Sequence, residues 1–327
     1  MSKRRLNILR VLISVGALAF LFWRVANPDE TLSVLRRADL RFLLGGLLLF
    51  VLSLVIRAYR WHILLRGLGL QVSYGRLVRL YFVGQFFSSF LPTQFGGDVM
   101  RALELTEDTE SSAAVGTVLL DRMTGLLVLL LMGLVALPFV ASQMEPWLIW
   151  LLIGVAVAGL VGGGLVLEGR LLRRATAWLP DGLSLAGQGS LAQVYAAVTG
   201  CGWKAVTGAF AVSVGFNLIN ILINVLCGQA VELGAGIGYY FIATPLLSVS
   251  GMIPSISGWG VREAVSTAVF APVGAGADVT TALGISLGGI ALATGLVGGV
   301  VYGSDRLRVL IMRRAAADPE HHDHQRQ

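Results

Sequence analysis

Charged residues are scarce in this sequence, so the few that fall inside apolar runs stand out. Arg57 and Arg60 lie near the end of one run. Asp98 and Arg101 follow Gly96-Gly97, Asp121 and Arg122 adjoin in another run, and Arg262-Glu263 follows Gly258-Trp259-Gly260. An arginine presents a planar fork of donors that matches phosphate or carboxylate oxygens. A helix that restarts after a glycine turn aims unpaired N–H groups and the positive end of its dipole at the same chemistry. Arg101, Arg122 and Arg262, with Gly96, Gly97, Gly258 and Gly260 at the turns, are therefore the candidate residues for holding an anion.

Asp98, Asp121, Glu263, Arg57 and Arg60 are candidate coupling or structural charges. For Asp98 the favoured reading is a helix cap that satisfies orphan N–H groups, with proton coupling as the alternative. Asp121 and Arg122 point about 100° apart on a helix, so neither is the other's best partner. An ionic group at the centre of a span costs about 2.5–3.5 kcal/mol on the insertion scale. Two readings of that pair stand side by side: a functional site, or an interhelical ion pair of Asp121 with Arg101 or Arg57. Glu263 caps its own turn or pairs with an arginine. Arg57 and Arg60 are one turn apart and placed to snorkel toward the headgroups, with Tyr59 and Trp61 in the same interfacial belt.

The inventory does not suit an enzyme. His62 is the one histidine outside the C-terminal tail, and no nucleophile–base pair, phosphate loop or metal cluster is present. No catalytic residue, cofactor or metal is expected, and nothing supports nucleic-acid binding. Cys201 and Cys227 are the only cysteines, and they fall at opposite ends of one apolar run, too far apart for a disulfide.

Composition says what must position these groups. Of 327 residues 55% are hydrophobic and 13% charged, where a soluble domain averages about 25% charged. This is the pattern of a polytopic membrane protein, and the 41 glycines suit close helix packing in lipid. The net charge of +6 is carried almost wholly by arginine, which usually marks cytoplasmic loops.

Six apolar runs are long enough to span, at 6–26, 42–65, 113–140, 147–167, 205–230 and 281–302. The first is longer than a signal-peptide core and is interrupted by Arg10, so it reads as a retained span. The polar interval 168–204 has an amphipathic start and reads either as a cytoplasmic segment lying along the membrane or as a solvated basic loop. Two stretches remain. One breaks at Pro92 and the other at Pro254. Aligned on those prolines they share Gly96 and Gly258, Val99 and Val261, Ala102 and Ala264. Loop charges place both termini in the cytoplasm and require each broken stretch to leave on the side it entered.

The expected fold is thus all-α and integral to the membrane. It has about six transmembrane helices and two re-entrant helical hairpins in an inverted-topology repeat, at about 42–140 and 205–303. Residues 1–315 form one membrane domain and 316–327 a disordered tail.

Several of these motifs together resemble those of the lysylphosphatidylglycerol synthase transmembrane-region family. They are Pro92 with Gly96-Gly97-Asp98 and Arg101, Asp121-Arg122 with Gly125, and Pro254 with Gly258-Trp259-Gly260-Val261-Arg262-Glu263. Arg60-Trp61 followed by Leu64-Leu65 fits as well. In the lysyl-lipid synthases this domain is regarded as a flippase, while a separate soluble domain makes the lipid from aminoacyl-tRNA. No such soluble domain is seen here, so the resemblance implies the flippase half. The leading expectation is a cell-membrane transporter whose partners are lipids with anionic headgroups. The alternatives are an ion- or proton-coupled transporter of a small anionic solute, with Asp98 or Asp121 titrating, and an integral-membrane transferase on a lipid-linked substrate.

Overall fold

Leu40, Leu44, Leu48 and Leu52 repeat every fourth residue and form an exposed apolar stripe along one helix, while Gly45 and Gly46 mark its other side. That helix is α2 (Leu40–Gly67), preceded by the short α1 (Pro28–Arg37). It starts where the Asp39 carboxylate accepts the Arg41 N–H at 2.8 Å, satisfying one orphan donor of the first turn. The computed structural model describes residues 28–90, 95–180, 182–252 and 261–317, with no side-chain detail for Pro28, Val261, Glu263 or the residues from 305 onward. The expected span at 6–26, Pro92, Pro254, Gly258, Gly260 and the tail from 318 lie outside the described residues.

The remaining helices are α3 (Tyr74–Phe90), α4 (Gly96–Leu105), α5 (Ser111–Val140), α6 (Pro146–Glu168), α7 (Arg170–Thr176) and α8 (Ser190–Gly200). They are followed by α9 (Trp203–Ala230), α10 (Ile237–Ser250), α11 (Val261–Phe270) and α12 (Ala277–Ala317). No strand occurs among the described residues. Among the described residues, five segments are long and apolar enough to cross a membrane: Leu40–Gly67, Ser111–Gln143, Pro146–Glu168, Trp203–Ala230 and Ala277–Ser304. They coincide with the five expected spans inside the described residues. Two shorter apolar helices, Ile237–Ser250 and Ala264–Val273, fall in the second broken region.

Glycines set how closely these helices approach. Helices α2 and α9 lie antiparallel: Gly46 faces Cys227, Gly208 faces Ile63, and a Cβ on Gly67 would fall 2.3 Å from the Cys201 carbonyl oxygen. Helix α3 packs on α12, where a Cβ on Gly298 would fall 1.9 Å from the Phe82 carbonyl oxygen. Helix α10 packs on α5, with Gly133 against Pro245. Helix α4 folds back along α3. A Cβ on Gly97 would meet the Gly84 carbonyl and the Ser88 hydroxyl at 2.2 Å, so only glycine admits this approach.

The packing list has a regularity. Helix α3 touches α4 and α12 as α10 touches α11 and α5; α2 touches α5 and α12 as α9 touches α12 and α5. Among these eight helices, exchanging α2–α5 for α9–α12 returns the same set of contacts, while α1, α6 and α8 pack without a counterpart.

The interval 168–204 is more structured than either expected form. Its second part, α8, docks on α5 beside Gly116, buries Ala192, Tyr195 and Val198, and ties back through Tyr195 OH to the Val166 carbonyl at 3.0 Å. Its first part keeps the amphipathic character, with Leu171 and Trp178 exposed. The difference arises because Gly116 offers no side chain, and that opening is invisible to a periodicity reading of 190–200 alone. Cys201 and Cys227 are both buried and free, as their separation required.

Candidate functional site

Five of the charged side chains singled out above converge from three helices onto one chain of ion pairs. Asp121, fully buried at 0% exposure on α5, accepts from Arg60 Nε of α2 at 2.7 Å and from Arg101 Nη1 of α4 at 3.3 Å. The Tyr81 hydroxyl of α3 donates to the same carboxylate. Arg101 then donates through Nη2 to Asp98 Oδ1 at 2.5 Å, and Arg122 donates to Asp98 Oδ2. The order Arg60, Asp121, Arg101, Asp98, Arg122 alternates in sign from the packed interior toward open space.

Packing holds this chain in place. A Cβ on Gly125 would lie 2.5 Å from Arg60 Nη1, and one on Gly84 would lie 2.8 Å from Arg101 Cγ, so each glycine is the slot for an arginine. The Arg101 guanidinium lies 4.1 Å from the Tyr81 ring centroid and 5.0 Å from that of Trp61. Trp61 in turn donates from Nε1 to Thr117 Oγ1 at 3.1 Å, and Arg60 Nη1 donates to Ser213 Oγ at 3.0 Å. Each charge therefore has an opposite charge beside it, and all but Asp98 also a π face or hydroxyl, which makes burial tolerable.

The outer end of the chain borders a cavity of about 650 Å3 between α3–α4 on one side and α9–α12 on the other. Arg57, Asp98, Arg122, Asn217, Thr244 and Arg262 are among its walls. Arg57 lies over the rings of Tyr81 at 5.0 Å and Phe216 at 5.4 Å. The match to the family described as "Lysylphosphatidylglycerol synthase TM region" runs over residues 7–299. The chain belongs to that family. A UPF0104 membrane protein of Pyrococcus horikoshii is similar, 29% identical over 118 residues, which is 35% of this chain and 35% of that protein's length. This member of the transmembrane-region family is accordingly a multi-pass membrane protein.

Within it, the residues picked from sequence part company. Arg101, 2% exposed, is saturated by Asp98 and Asp121, so it braces the site more than it faces the cavity. Arg122 is a quarter exposed and lies 4.3 Å from the Phe95 ring centroid. Arg262 is half-buried and lines the cavity. Gly96 and Gly97 are buried in the first turn of α4. Gly258, Gly260 and the Glu263 side chain lie outside the described residues.

Two sequence readings are corrected. Asp98 is not a cap: Phe95 occupies the N-cap of α4 without a side-chain bond, and Asp98 spends its carboxylate on Arg101 and Arg122. Arg60 and Trp61 do not reach the headgroups; they are 1% and 0% exposed, because Asp121 and Thr117 give them partners inside. Arg57 also turns inward, onto Tyr81 and Phe216, while Tyr59 alone stays out at 49%. Of the partners expected for Asp121, Arg101 is present and Arg57 is replaced by Arg60; Arg122, as the helix geometry required, pairs elsewhere, with Asp98.

Sequence reasoning passed over the asparagines of α9. Asn217, Asn220 and Asn224 are spaced by three and four, so they share one helical face, and all three border the cavity. Asn217 donates to the Gly125 carbonyl at 2.9 Å and so braces the Arg60 slot from the other side. Their signal was that spacing within an otherwise apolar run.

Proposed function

We propose that this protein carries an anionic lipid headgroup across the bilayer through the cavity while the tails stay in the hydrocarbon. The observation that carries the reading is the wall of the cavity: Arg57, Arg122 and Arg262 border it, whereas Asp98, the acidic side chain there among the described residues, is already held by Arg101 and Arg122. A polar, positively biased hollow inside an apolar body suits a negative group and repels a cation. Membership of a family named for a lipid-modifying synthase supports a lipid as the source of that group.

In this reading α2–α5 and α9–α12 are inverted repeats, supported by the exchangeable packing list. The pairs α3–α4 and α10–α11 are re-entrant hairpins, the element used by transporters built from broken helices. The two repeats rock about the α2–α9 contact to open the cavity to each side in turn. Both termini are cytoplasmic in the cell membrane, and no enzymatic step is assigned.

Reconstitution into vesicles containing a fluorescent anionic phospholipid tests this. Arg262→Gln and Arg122→Gln should abolish headgroup exchange between leaflets while the protein keeps its thermal unfolding midpoint to within a few degrees. Wild-type exchange rates in both would sink the proposal. Transport of a small anion driven by a pH gradient, with no lipid exchange, would replace it with solute transport.

A further inference from the structure

Three buried polar atoms on residues that line the cavity have no hydrogen-bond partner among the described residues: Arg57 Nε, Asn217 Oδ1 and Thr244 Oγ1. A buried polar group left unpaired forfeits its hydration without return. They come from α2, α9 and α10, and all three belong to residues that border one hollow, so their lack of partners is not a matter of any single helix. Asn217 and Thr244 are 1% and 2% exposed. The Asn217 NH2 is spent on the Gly125 carbonyl, which leaves Asn217 Oδ1 and the Thr244 hydroxyl as wall atoms without a partner among the described residues.

The chemistry of the set divides in two. Arg57 supplies a charged donor whose ring neighbours, Tyr81 and Phe216, shield it without neutralising it. Asn217, Asn220, Asn224 and Thr244 supply neutral donors and acceptors along α9 and α10. A hydroxyl on a ligand can both donate to and accept from such groups. An ammonium would need a carboxylate, and Asp98 is spent on two arginines.

Building on the cavity assigned above, we infer that it is a two-part site. Arg57 takes a phosphodiester monoanion, and the asparagine face with Thr244 takes hydroxyl groups on that same ligand. The ligand class is a polyol phosphate without an ammonium, presented by a lipid headgroup or by a free solute. The paired arginines 60 and 101 belong to the frame, and Arg57 is the group that meets the ligand.

The test uses the purified full chain in detergent and measures binding by calorimetry. Four probes separate the parts: dihexanoyl phosphatidylinositol, dihexanoyl phosphatidylmethanol, dihexanoyl phosphatidylethanolamine and glycerophosphoinositol. Phosphatidylinositol should bind about tenfold tighter than phosphatidylmethanol, which has the same charge but no hydroxyl, and phosphatidylethanolamine weakest. Arg57→Gln should weaken both anionic lipids by about tenfold or more, and Arg57→Lys, which keeps the charge in a folded protein, should give a smaller loss. Asn220→Leu should erase the preference for inositol and leave phosphatidylmethanol binding as it was. Glycerophosphoinositol binding as tightly as the lipid supports the same site with a solute as the source; much weaker binding supports a lipid source. Phosphatidylmethanol or phosphatidylethanolamine equal to phosphatidylinositol, or Arg57 variants that bind undiminished, would overturn the assignment. This binding preference without headgroup exchange in vesicles removes the transport reading and leaves the site; exchange without the preference does the reverse.

Discussion

The two halves that exchange places in the packing list are furnished differently. Helices α2–α5 bring Arg57, Arg60, Asp98, Arg101 and Arg122 to the cavity, all but Arg57 joined through buried Asp121 and Asp98 in a continuous ionic chain. Helices α9–α12 present Asn217, Asn220, Asn224, Thr244 and Ser248 to the same cavity, with Arg262 as the charge described there. Ionic pairs at this depth tolerate little displacement, because a stretched pair leaves charge in a low dielectric. Amides and hydroxyls lose far less when they shift. The first half is therefore built to keep its shape and the second to give way, which assigns the moving part of any rocking motion to α9–α12.

The sharpest way to break this contrast is Asp121→Asn. It leaves Arg60 and Arg101 buried without that carboxylate, at a cost of about 3–5 kcal/mol, and should drop the yield of folded protein and its unfolding midpoint severely. Asn217→Ala in the other half removes one hydrogen bond to Gly125 and should cost about 1 kcal/mol. Equal losses would mean that the halves do not differ in stiffness. Next in size is Gly125→Ala. Its new methyl displaces the Arg60 guanidinium and should lower the midpoint by about 1–3 kcal/mol equivalent, the usual range for overpacking. Gly289→Ala on α12, where nothing lies within 4 Å, should be neutral or mildly stabilising by the same thermal measurement.

The smallest effect reports on the seam where Gly67 of α2 meets the start of α9. Cys201 sits there, outside the spans, and burial pushes its thiol up to about 11 from 9.0. The folded protein then holds this proton more tightly than the unfolded chain does. Stability is unaffected below pH 9 and falls as pH rises from 9 toward 11. Cys201→Ala should flatten that part of an unfolding-midpoint titration, and maleimide labelling of Cys201 in the native protein at neutral pH should be slow. Fast labelling at pH 7 would show that the seam opens.

Much of the frame was readable from sequence because a span is a statement about one helix: some twenty apolar residues, regardless of neighbours. The breaks at Gly96-Gly97 and near Arg262 were readable for the same reason, since glycine and charge at the end of an apolar run are local signals. Partner choice was not. Whether Asp121 meets Arg57 or Arg60 depends on how α2 is rotated against α5, and Gly125 decides that by leaving room for one guanidinium. The Asp98 cap failed likewise, because Arg122, from another helix, outcompetes the local N–H groups. The docking of α8 turned on Gly116, whose lack of a side chain says nothing until its neighbour is known. The asparagine face was legible in principle, yet three amides in an apolar run look like noise until a cavity gives them a common direction.

One further consequence lies in the arithmetic of the alternating chain. Arg60, Arg101 and Arg122 against Asp98 and Asp121 leave one positive charge in surplus, and every member is fixed to a helix. A monoanion at the open end makes the array neutral, and it is the one charge there free to travel. In the transport proposed above, its passage would be a current. At about 2.3 kcal/mol for each 100 mV, the voltage across a living membrane would bias which leaflet the headgroup ends in, with no fuel beyond the field itself.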